Sequence, residues 1–227
     1  MSRELLDRRT GNGRRVVVLM SEIMDGDFSV DQHASKLDRR RRVLRPGPWS
    51  WFRQVHGSDV LLVEEPGALS GQKADGAVTT QPGINLSIQI ADCAPVALAS
   101  PGGVAVVHAG WRGLSAGILE KASKKLSDVA PGPQLAVLGP CIHPCCYEFA
   151  AEELEDLELK FGYLARGKTR DGQLALDIPA VVRSILKTPL VVEFLEDDTC
   201  TGCDSRYWSY RVDGVEHRQT FVAWMEW

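Results

Sequence analysis

The sequence predicts a mixed α+β protein, one compact domain in which mixed β-sheets are flanked by helices. Short apolar, β-branched runs bounded by Gly and Pro outnumber the segments with helical periodicity. Many of these runs are neighbours in sequence and can pair as hairpins, which does not favour a doubly wound parallel sheet. No internal repeat or long linker divides the 227 residues. We therefore expect a single domain over residues 1–227.

The strand patterns begin after a polar N-terminus and continue to the C-terminus. Gly57-Ser58 and Pro82-Gly83 are the predicted turns between neighbouring strands. The predicted strands are residues 15–20, 50–57 and 59–65, two within 76–93, one ending at His108, and residues 134–139, 190–196 and 220–227.

Four segments have helical patterns. In residues 114–128 the apolar side chains repeat at helical spacing, which predicts a buried stripe of Leu114, Ile118, Ala122 and Leu126. A proline near the start of residues 177–187 is typical of a first helical turn. The predicted helices are residues 35–44, 114–128, 150–162 and 177–187.

Composition excludes several classes of function. A net charge of -4 gives no electrostatic case for binding nucleic acid, and we interpret the basic cluster of residues 39–42 as a solvated helix face. No apolar run approaches the length of a membrane span, and the first fifteen residues lack the apolar core of a secretion signal. We therefore expect a cytoplasmic protein whose six cysteines are reduced, with no nucleic-acid or membrane partner.

Three chemically active residues occupy similar positions. Cys93 follows the apolar run of residues 88–92, His108 follows residues 104–107, and His56 ends a third strand-like run. If these strand ends converge, two imidazoles and a thiolate form a ligand set that suits zinc, with a fourth position open for water or substrate. The alternative is a buried thiol with two unrelated histidines.

Six motifs resemble, in order, the conserved blocks of the YfiH family, whose members are known as laccase-domain proteins, polyphenol oxidases and purine nucleoside phosphorylases. They cover about residues 51–226, whereas the N-terminal third diverges and lacks the family's Ser-Leu-Asn-Leu-Gly block. The motifs are RQVHGSDV, KADGAVT, IADCAPV, VAVVHAGWRGL, LGPCIHPCCYEF and DTCTGCDSRYWSYRVDG.

The resemblance implies a YfiH-like fold, similar to that of a bacterial cysteine-hydrolase toxin, with metal ligands at His56, Cys93 and His108. It implies a zinc enzyme that phosphorolyses adenosine, inosine and methylthioadenosine and deaminates adenosine. Its small-molecule partners would be purine nucleosides and phosphate, and we expect a monomer. Zinc lowers the pKa of water bound to it, which would supply hydroxide for attack at purine C6.

Five further residues are candidates for substrate binding. Arg112 follows His108 at a predicted helix start, a position that attracts anions such as phosphate. Arg53 and Arg211 are further candidates for the phosphate, with surface arginines as the alternative. Trp111 offers a face for stacking a purine or belongs to the core, and His143 would border the pocket.

Asp75 and Asp92 are the candidate supporting carboxylates. A carboxylate beside a ligating imidazole fixes its tautomer and raises its basicity. The pair Asp75-Gly76 is equally consistent with a simple turn.

Two other mechanisms are compatible with parts of the sequence. Without a metal, Cys93 would be a nucleophile and His108 its base, as in a cysteine hydrolase or amidase that edits peptidoglycan precursors. A multicopper oxidase would need about ten imidazoles, and the chain has five histidines. A copper-dependent polyphenol oxidase is therefore disfavoured, although one copper ion could replace zinc at the same ligands.

The remaining cysteines lie in two segments of the chain. A structural zinc site built from four of them is one interpretation, and packing of free thiols is the other. The resemblance favours packing, because the GPC and CYE segments occur in the family without a metal-binding role. These cysteines are Cys141, Cys145, Cys146, Cys200 and Cys203.

Overall fold

The computed structural model describes residues 2–227 and contains two β-sheets that share a core, with helices on their outer faces. The strands are β1 (Arg3–Arg9), β2 (Arg15–Met20), β3 (Trp49–Trp51), β4 (Val60–Leu62), β5 (Gly76–Thr79), β6 (Asn85–Ile90), β7 (Ala94–Ser100), β8 (Gly103–Ala109), β9 (Gln134–Leu138), β10 (Arg166–Lys168), β11 (Leu174–Leu176), β12 (Val191–Glu196) and β13 (Gln219–Glu226).

The helices cover the sheets and connect strands. They are α1 (Ala34–Leu44), α2 (Trp111–Ser115), α3 (Ile118–Val129), α4 (Ala151–Phe161), α5 (Ile178–Leu186) and α6 (Tyr210–Asp213). Within residues 2–227, none of them combines the length and apolar composition needed to cross a bilayer.

Both large sheets mix parallel and antiparallel pairs, as the fold class predicts. The first sheet has the strand order β1-β2-β13-β6-β3, with β3 parallel to β6. The second has the order β12-β9-β7-β8-β5-β4, in which β12 is parallel to β9 and β4 is parallel to β5. The strands β10 and β11 form a separate hairpin.

Alternating side chains of β8 show how the layers are held together. Val104 and Val106 belong to the core between the sheets, whereas Ala105 and Val107 pack in the core that contains α3 and α5. The predicted stripe of residues 114, 118, 122 and 126 is buried in that second core. Each fully buried Leu, Ile or Val side chain contributes about 1.5–3 kcal/mol through removal from water.

Four strands were missed by the sequence patterns, β1, β7, β10 and β11, and β7 changes the setting of the site. β1 is a charged edge strand, a composition that protects edges from unwanted pairing and hides the strand pattern. β7 is rich in alanine, which has low strand propensity, but it pairs with β8 and β9 on its two sides. Cys93 therefore lies in the connection between β6 and β7.

One predicted strand beside the site is shorter than its pattern, and one predicted helix is divided in two. The strand predicted over residues 50–57 ends at Trp51, so that His56 lies in the loop before β4, with a φ of 56°. The helix predicted over residues 114–128 is two helices, α2 and α3. Gly117, with a φ of 80° between them, ends the first and begins the second.

Candidate metal centre

His56, Cys93 and His108 converge, although they come from three different parts of the chain. One ligand atom of each lies within 4.8 Å of the others, and the two imidazole rings meet edge to face with centroids 4.9 Å apart. His108 is buried near the end of β8, Cys93 is partly exposed and His56 is exposed. The centre is therefore closed on the His108 side and open to solvent on the His56 side.

The buried carboxylate of Asp75 holds two of these residues in place. Its Oδ1 lies 2.8 Å from Nδ1 of His108 and accepts the backbone N–H of His56 at 2.9 Å. Its Oδ2 accepts the backbone N–H groups of Val55 at 3.1 Å and Gly57 at 2.8 Å. Because a carboxylate only accepts, Nδ1 of His108 carries the proton and Nε2 is left for a metal.

The charges at the centre lower the pKa of Cys93 and raise the pKa of His108. Burial alone raises the pKa of the Cys93 thiol, but the charge and hydrogen bonds of His108 and His56 lower that pKa below its usual value. Burial alone lowers the pKa of His108, but the negative charges of Cys93 and Asp75 raise it. Cys93 is therefore favoured as a thiolate, the form that binds metal or attacks an electrophile.

Gly110 leaves the space that this grouping needs, and the sequence patterns did not single it out. A β-carbon at this position would lie 3.0 Å from Cδ2 of His56 and 3.2 Å from Sγ of Cys93. Gly110 has an ordinary φ of -73°, so the requirement is for space and not for an unusual backbone conformation. The signal in the sequence was a glycine two residues after the buried ligand His108.

Asp92 supports the centre differently from the imidazole contact expected of it. Its carboxylate accepts the hydroxyl of Thr201 at 2.8 Å and the backbone N–H of Arg211 at 2.7 Å. Its carbonyl accepts the N–H of Ile142 at 2.9 Å, and its φ is 87°. Asp92 thus anchors two distant segments beside Cys93.

An aromatic and cationic wall connects three of the predicted substrate-binding residues. The guanidinium of Arg112 lies 4.2 Å from the ring centre of Trp111, whose ring meets Phe149 edge-on at 5.5 Å. Phe149 contacts Tyr147 at 5.4 Å, and Arg211 lies 4.8 Å over the Tyr147 ring. Burial, followed by the charge of Cys93, raises the pKa of Tyr147, in keeping with a wall that reaches the thiolate.

Arg53 and His143 have other partners. Arg53 is exposed and forms an ion pair with Asp31 at 3.2 Å. The backbone N–H of His143 donates to Sγ of Cys200 at 3.3 Å, which places this residue against a second group of cysteines. These contacts do not test the predicted roles, so Arg53 stays a candidate for phosphate and His143 a candidate for the border of the pocket.

A family model described as multi-copper polyphenol oxidoreductase laccase matches residues 19–226. The chain belongs to this family. The match begins well before residue 51, so residues 19–50 of the divergent N-terminal part also match the family. The family match confirms the resemblance inferred from the motifs.

Relatives and solved structures of the family support this assignment. A protein named purine nucleoside phosphorylase YfiH from Shigella flexneri is 37% identical over 184 residues, which cover 77% of this chain and 73% of the relative. A purine nucleoside phosphorylase from Streptomyces coelicolor is 33% identical over 181 residues, covering 78% and 74%.

The structural comparison confirms the fold class. The crystal structure of a Neisseria meningitidis protein has a TM-score of 0.82 at 22% identity and covers 100% of this chain and 99% of its own. Bacillus licheniformis YfiH gives 0.80 at 21% identity, covering 96% and 98%.

Proposed function

We propose that the protein is a zinc-dependent purine nucleoside phosphorylase that acts on adenosine, inosine and methylthioadenosine and also deaminates adenosine. The names of relatives at 33–37% identity support the phosphorylase activity. The observation that carries the proposal is the convergence of His56, Cys93 and His108 at a centre open on one side.

The donor set fits zinc. Two imidazoles and a thiolate are ligands of the type that zinc takes in catalytic sites, where a fourth position stays free for water or substrate. His56, Cys93 and His108 would hold the ion, and Asp75 keeps His108 in the required tautomer. When bound, zinc supplies Lewis-acid polarisation and lowers the pKa of water.

The arginines of the aromatic and cationic wall suit phosphate, the second substrate of phosphorolysis. In phosphorolysis a phosphate oxygen bonds to C1′ of the ribose while the bond from C1′ to the purine nitrogen breaks, and the electron pair leaves with the purine. Phosphate must be held beside C1′ for this exchange. Arg112 and Arg211 both rest on aromatic rings, and each offers a planar set of guanidinium donors of the kind that binds two phosphate oxygens at once.

A cysteine hydrolase is the second candidate function, and one observation favours it. Cys93, His108 and Asp75 form a connected thiolate, imidazole and carboxylate set, which is the arrangement of a cysteine nucleophile with its base and orienting group. Such an enzyme would cleave an amide, as in editing of peptidoglycan precursors. It does not require His56.

A multicopper oxidase is not proposed, despite the description of the family. The chain has five histidines, and a blue-copper site with a trinuclear cluster takes about ten. Metal analysis of the purified protein distinguishes zinc from a single copper ion at His56, Cys93 and His108.

The test is the effect of His56→Ala on metal content and activity together. We expect wild-type protein to bind zinc and to release ribose 1-phosphate from a nucleoside panel only with phosphate present. His56→Ala should lose the metal of this centre and the activity together. His33→Ala, which changes an exposed histidine at the start of α1, is the matched control.

Activity that does not require a metal would favour the second candidate function. Metal-free protein that releases no ribose 1-phosphate but cleaves an amide substrate, and loses that activity only on changing Cys93 or His108, would assign the site to the cysteine hydrolase.

A further inference from the structure

Four cysteines outside the His56–Cys93–His108 centre bring their sulfur atoms together. The Sγ atoms of Cys145, Cys146, Cys200 and Cys203 all lie within 4.8 Å of one another. Cys203 Sγ is 3.3 Å from those of Cys145 and Cys146, and Cys145 Sγ is 3.6 Å from Cys200 and 3.8 Å from Cys146. All four are free thiols. Cys141, in the same loop, is outside this group and lies in the apolar core.

The sulfur separations match the ligand shell of one metal ion. Four thiolates at ~2.3 Å from a tetrahedral zinc ion lie about 3.8 Å from one another. A disulfide needs its sulfurs at about 2.0 Å. A cubane iron–sulfur cluster binds each cysteine to a different iron atom and so holds the cysteines further apart than a single ion does.

Two donors beside the group favour negative charge on Cys203 and Cys200. Nη2 of Arg170 lies 2.9 Å from Sγ of Cys203, and the backbone N–H of His143 donates to Sγ of Cys200 at 3.3 Å. The backbone N–H of Arg170 also donates to the carbonyl of Cys145, which ties the β10–β11 turn to the group. Four thiolates around a divalent ion leave a net negative charge, and the guanidinium offsets part of it.

Gly202 allows the two halves of the group to meet. The turn from Cys200 to Cys203 is closed by a hydrogen bond from the N–H of Cys203 to the carbonyl of Cys200 at 3.0 Å. A β-carbon at Gly202 would lie 2.9 Å from Cβ and 3.1 Å from Sγ of Cys146. A side chain there would therefore push the turn that carries two sulfurs away from the other two.

We propose that Cys145, Cys146, Cys200 and Cys203 bind a second zinc ion in a closed structural site. Each thiol gives its proton to solvent as its sulfur bonds to the ion, with no change of oxidation state. Four protein ligands leave no open position, which is the arrangement of structural zinc. The site goes beyond the proposed function and does not depend on it.

The second ion would hold in place the two segments that anchor Asp92, next to Cys93 of the first centre. In the loop after Cys141, the backbone N–H of Ile142 donates to the carbonyl of Asp92. In the 200–203 turn, the hydroxyl of Thr201 donates to the carboxylate of Asp92. Asp92 precedes Cys93 in sequence. A metal that joins these two segments therefore fixes the position of Asp92 from two sides.

The test counts zinc in proteins that lack one site or the other. Wild-type protein purified with reductant should hold about two zinc ions per chain, and His56→Ala and Cys203→Ser should each lose one. Cys141→Ala, which removes the thiol outside the group, should keep both. Cys145→Ser should behave as Cys203→Ser does, with a lower melting temperature than the Cys141→Ala control.

Cobalt substitution tests the ligands without changing any cysteine of the group. In the His56→Ala protein, bound Co²⁺ should give the strong thiolate charge-transfer absorption and the visible bands of a tetrahedral four-sulfur site. The proposal is overturned if His56→Ala protein binds no metal, if the sulfurs are joined as disulfides after anaerobic purification, or if the bound metal is iron.

Discussion

The carboxylate of Asp75 accepts hydrogen bonds from three consecutive backbone N–H groups and from His108. Through these bonds one side chain sets both the tautomer of His108 and the loop that carries His56. The KADGAVT motif is therefore more than a turn before β5. At the residue scale, the centre depends on this carboxylate as much as on its three candidate ligands.

Asp75→Asn should weaken zinc binding by about 10–100-fold. An amide has only one oxygen, so its NH₂ group must face either the N–H groups of Val55 and Gly57 or those of His56 and His108. Either orientation leaves two of these four donors without an acceptor. Competition with a chromophoric chelator measures the affinity, and Asp59→Asn, at an exposed carboxylate nearby, is the control. An unchanged affinity would contradict the role of Asp75.

Arg112→Ala should depress phosphorolysis more than deamination of the same nucleoside, because only phosphorolysis uses an anionic co-substrate. Arg112→Lys should recover only part of the loss, since a point charge does not reproduce the planar pair of donors. The measurement is the ratio of ribose 1-phosphate to inosine formed from adenosine at fixed phosphate. Arg39→Ala, at an exposed position on α1, is the control.

An unchanged ratio in Arg112→Ala would assign the phosphate to Arg211 or Arg53. Of these two, Arg211 approaches the same aromatic wall from the other end.

At the scale of elements, the β7–β8 hairpin positions the first centre. Its register places Pro95 opposite His108, so that Cys93, just before β7, lies beside the end of β8. Pairing of β5 with β8 brings Asp75 to the same place, and the N–H of His108 donates to the carbonyl of Asp75 at 2.7 Å. The short helix α2 follows β8 directly, with Gly110 as its N-cap, and carries Trp111 and Arg112.

Gly117→Ala should destabilise the protein by about 1–2 kcal/mol, because the φ of 80° between α2 and α3 is left-handed and penalises a β-carbon. Space is not the cause, since the nearest atom to such a carbon is Oε2 of Glu120 at 3.7 Å. Urea unfolding measures the change. Gly11→Ala, in an exposed loop with an unstrained φ, should stay within about 0.5 kcal/mol of wild type.

At the scale of the whole molecule, both groups of ligands join segments that are distant in sequence. The first joins the β3–β4 loop to the ends of the β7–β8 hairpin, and the second joins residues 145–146 to residues 200–203. A metal that binds only the folded chain stabilises it in proportion to the logarithm of its free concentration.

Zinc should therefore raise the free energy of unfolding, by about 2.7 kcal/mol for a site at a hundred times its dissociation constant. Chelation should lower the melting temperature of wild-type protein. A double variant with His56→Ala and Cys203→Ser should show no response to zinc or chelator. A melting temperature of wild-type protein that is independent of zinc would contradict both metal sites.

Much of the fold could be predicted from local patterns, because β-branched runs and the apolar stripe of α3 report burial directly. The composition also determined that a multicopper oxidase lacks the necessary histidines, and the motifs identified the family and the three candidate ligands. Strand β7 could not be found in this way, since its alanines become strand only between two partners.

Only the tertiary structure decided which polar residues share a site. Asp75 and Asp92 look alike in sequence, yet one carboxylate binds His108 and the other binds Thr201 and the backbone of Arg211. The sequence left the four grouped cysteines as either a zinc site or packing thiols, and in the structure they come together across more than fifty residues of chain. The physical reason is that sequence spacing reports local geometry, whereas ligand sets are assembled by sheet register and loop contacts between distant segments.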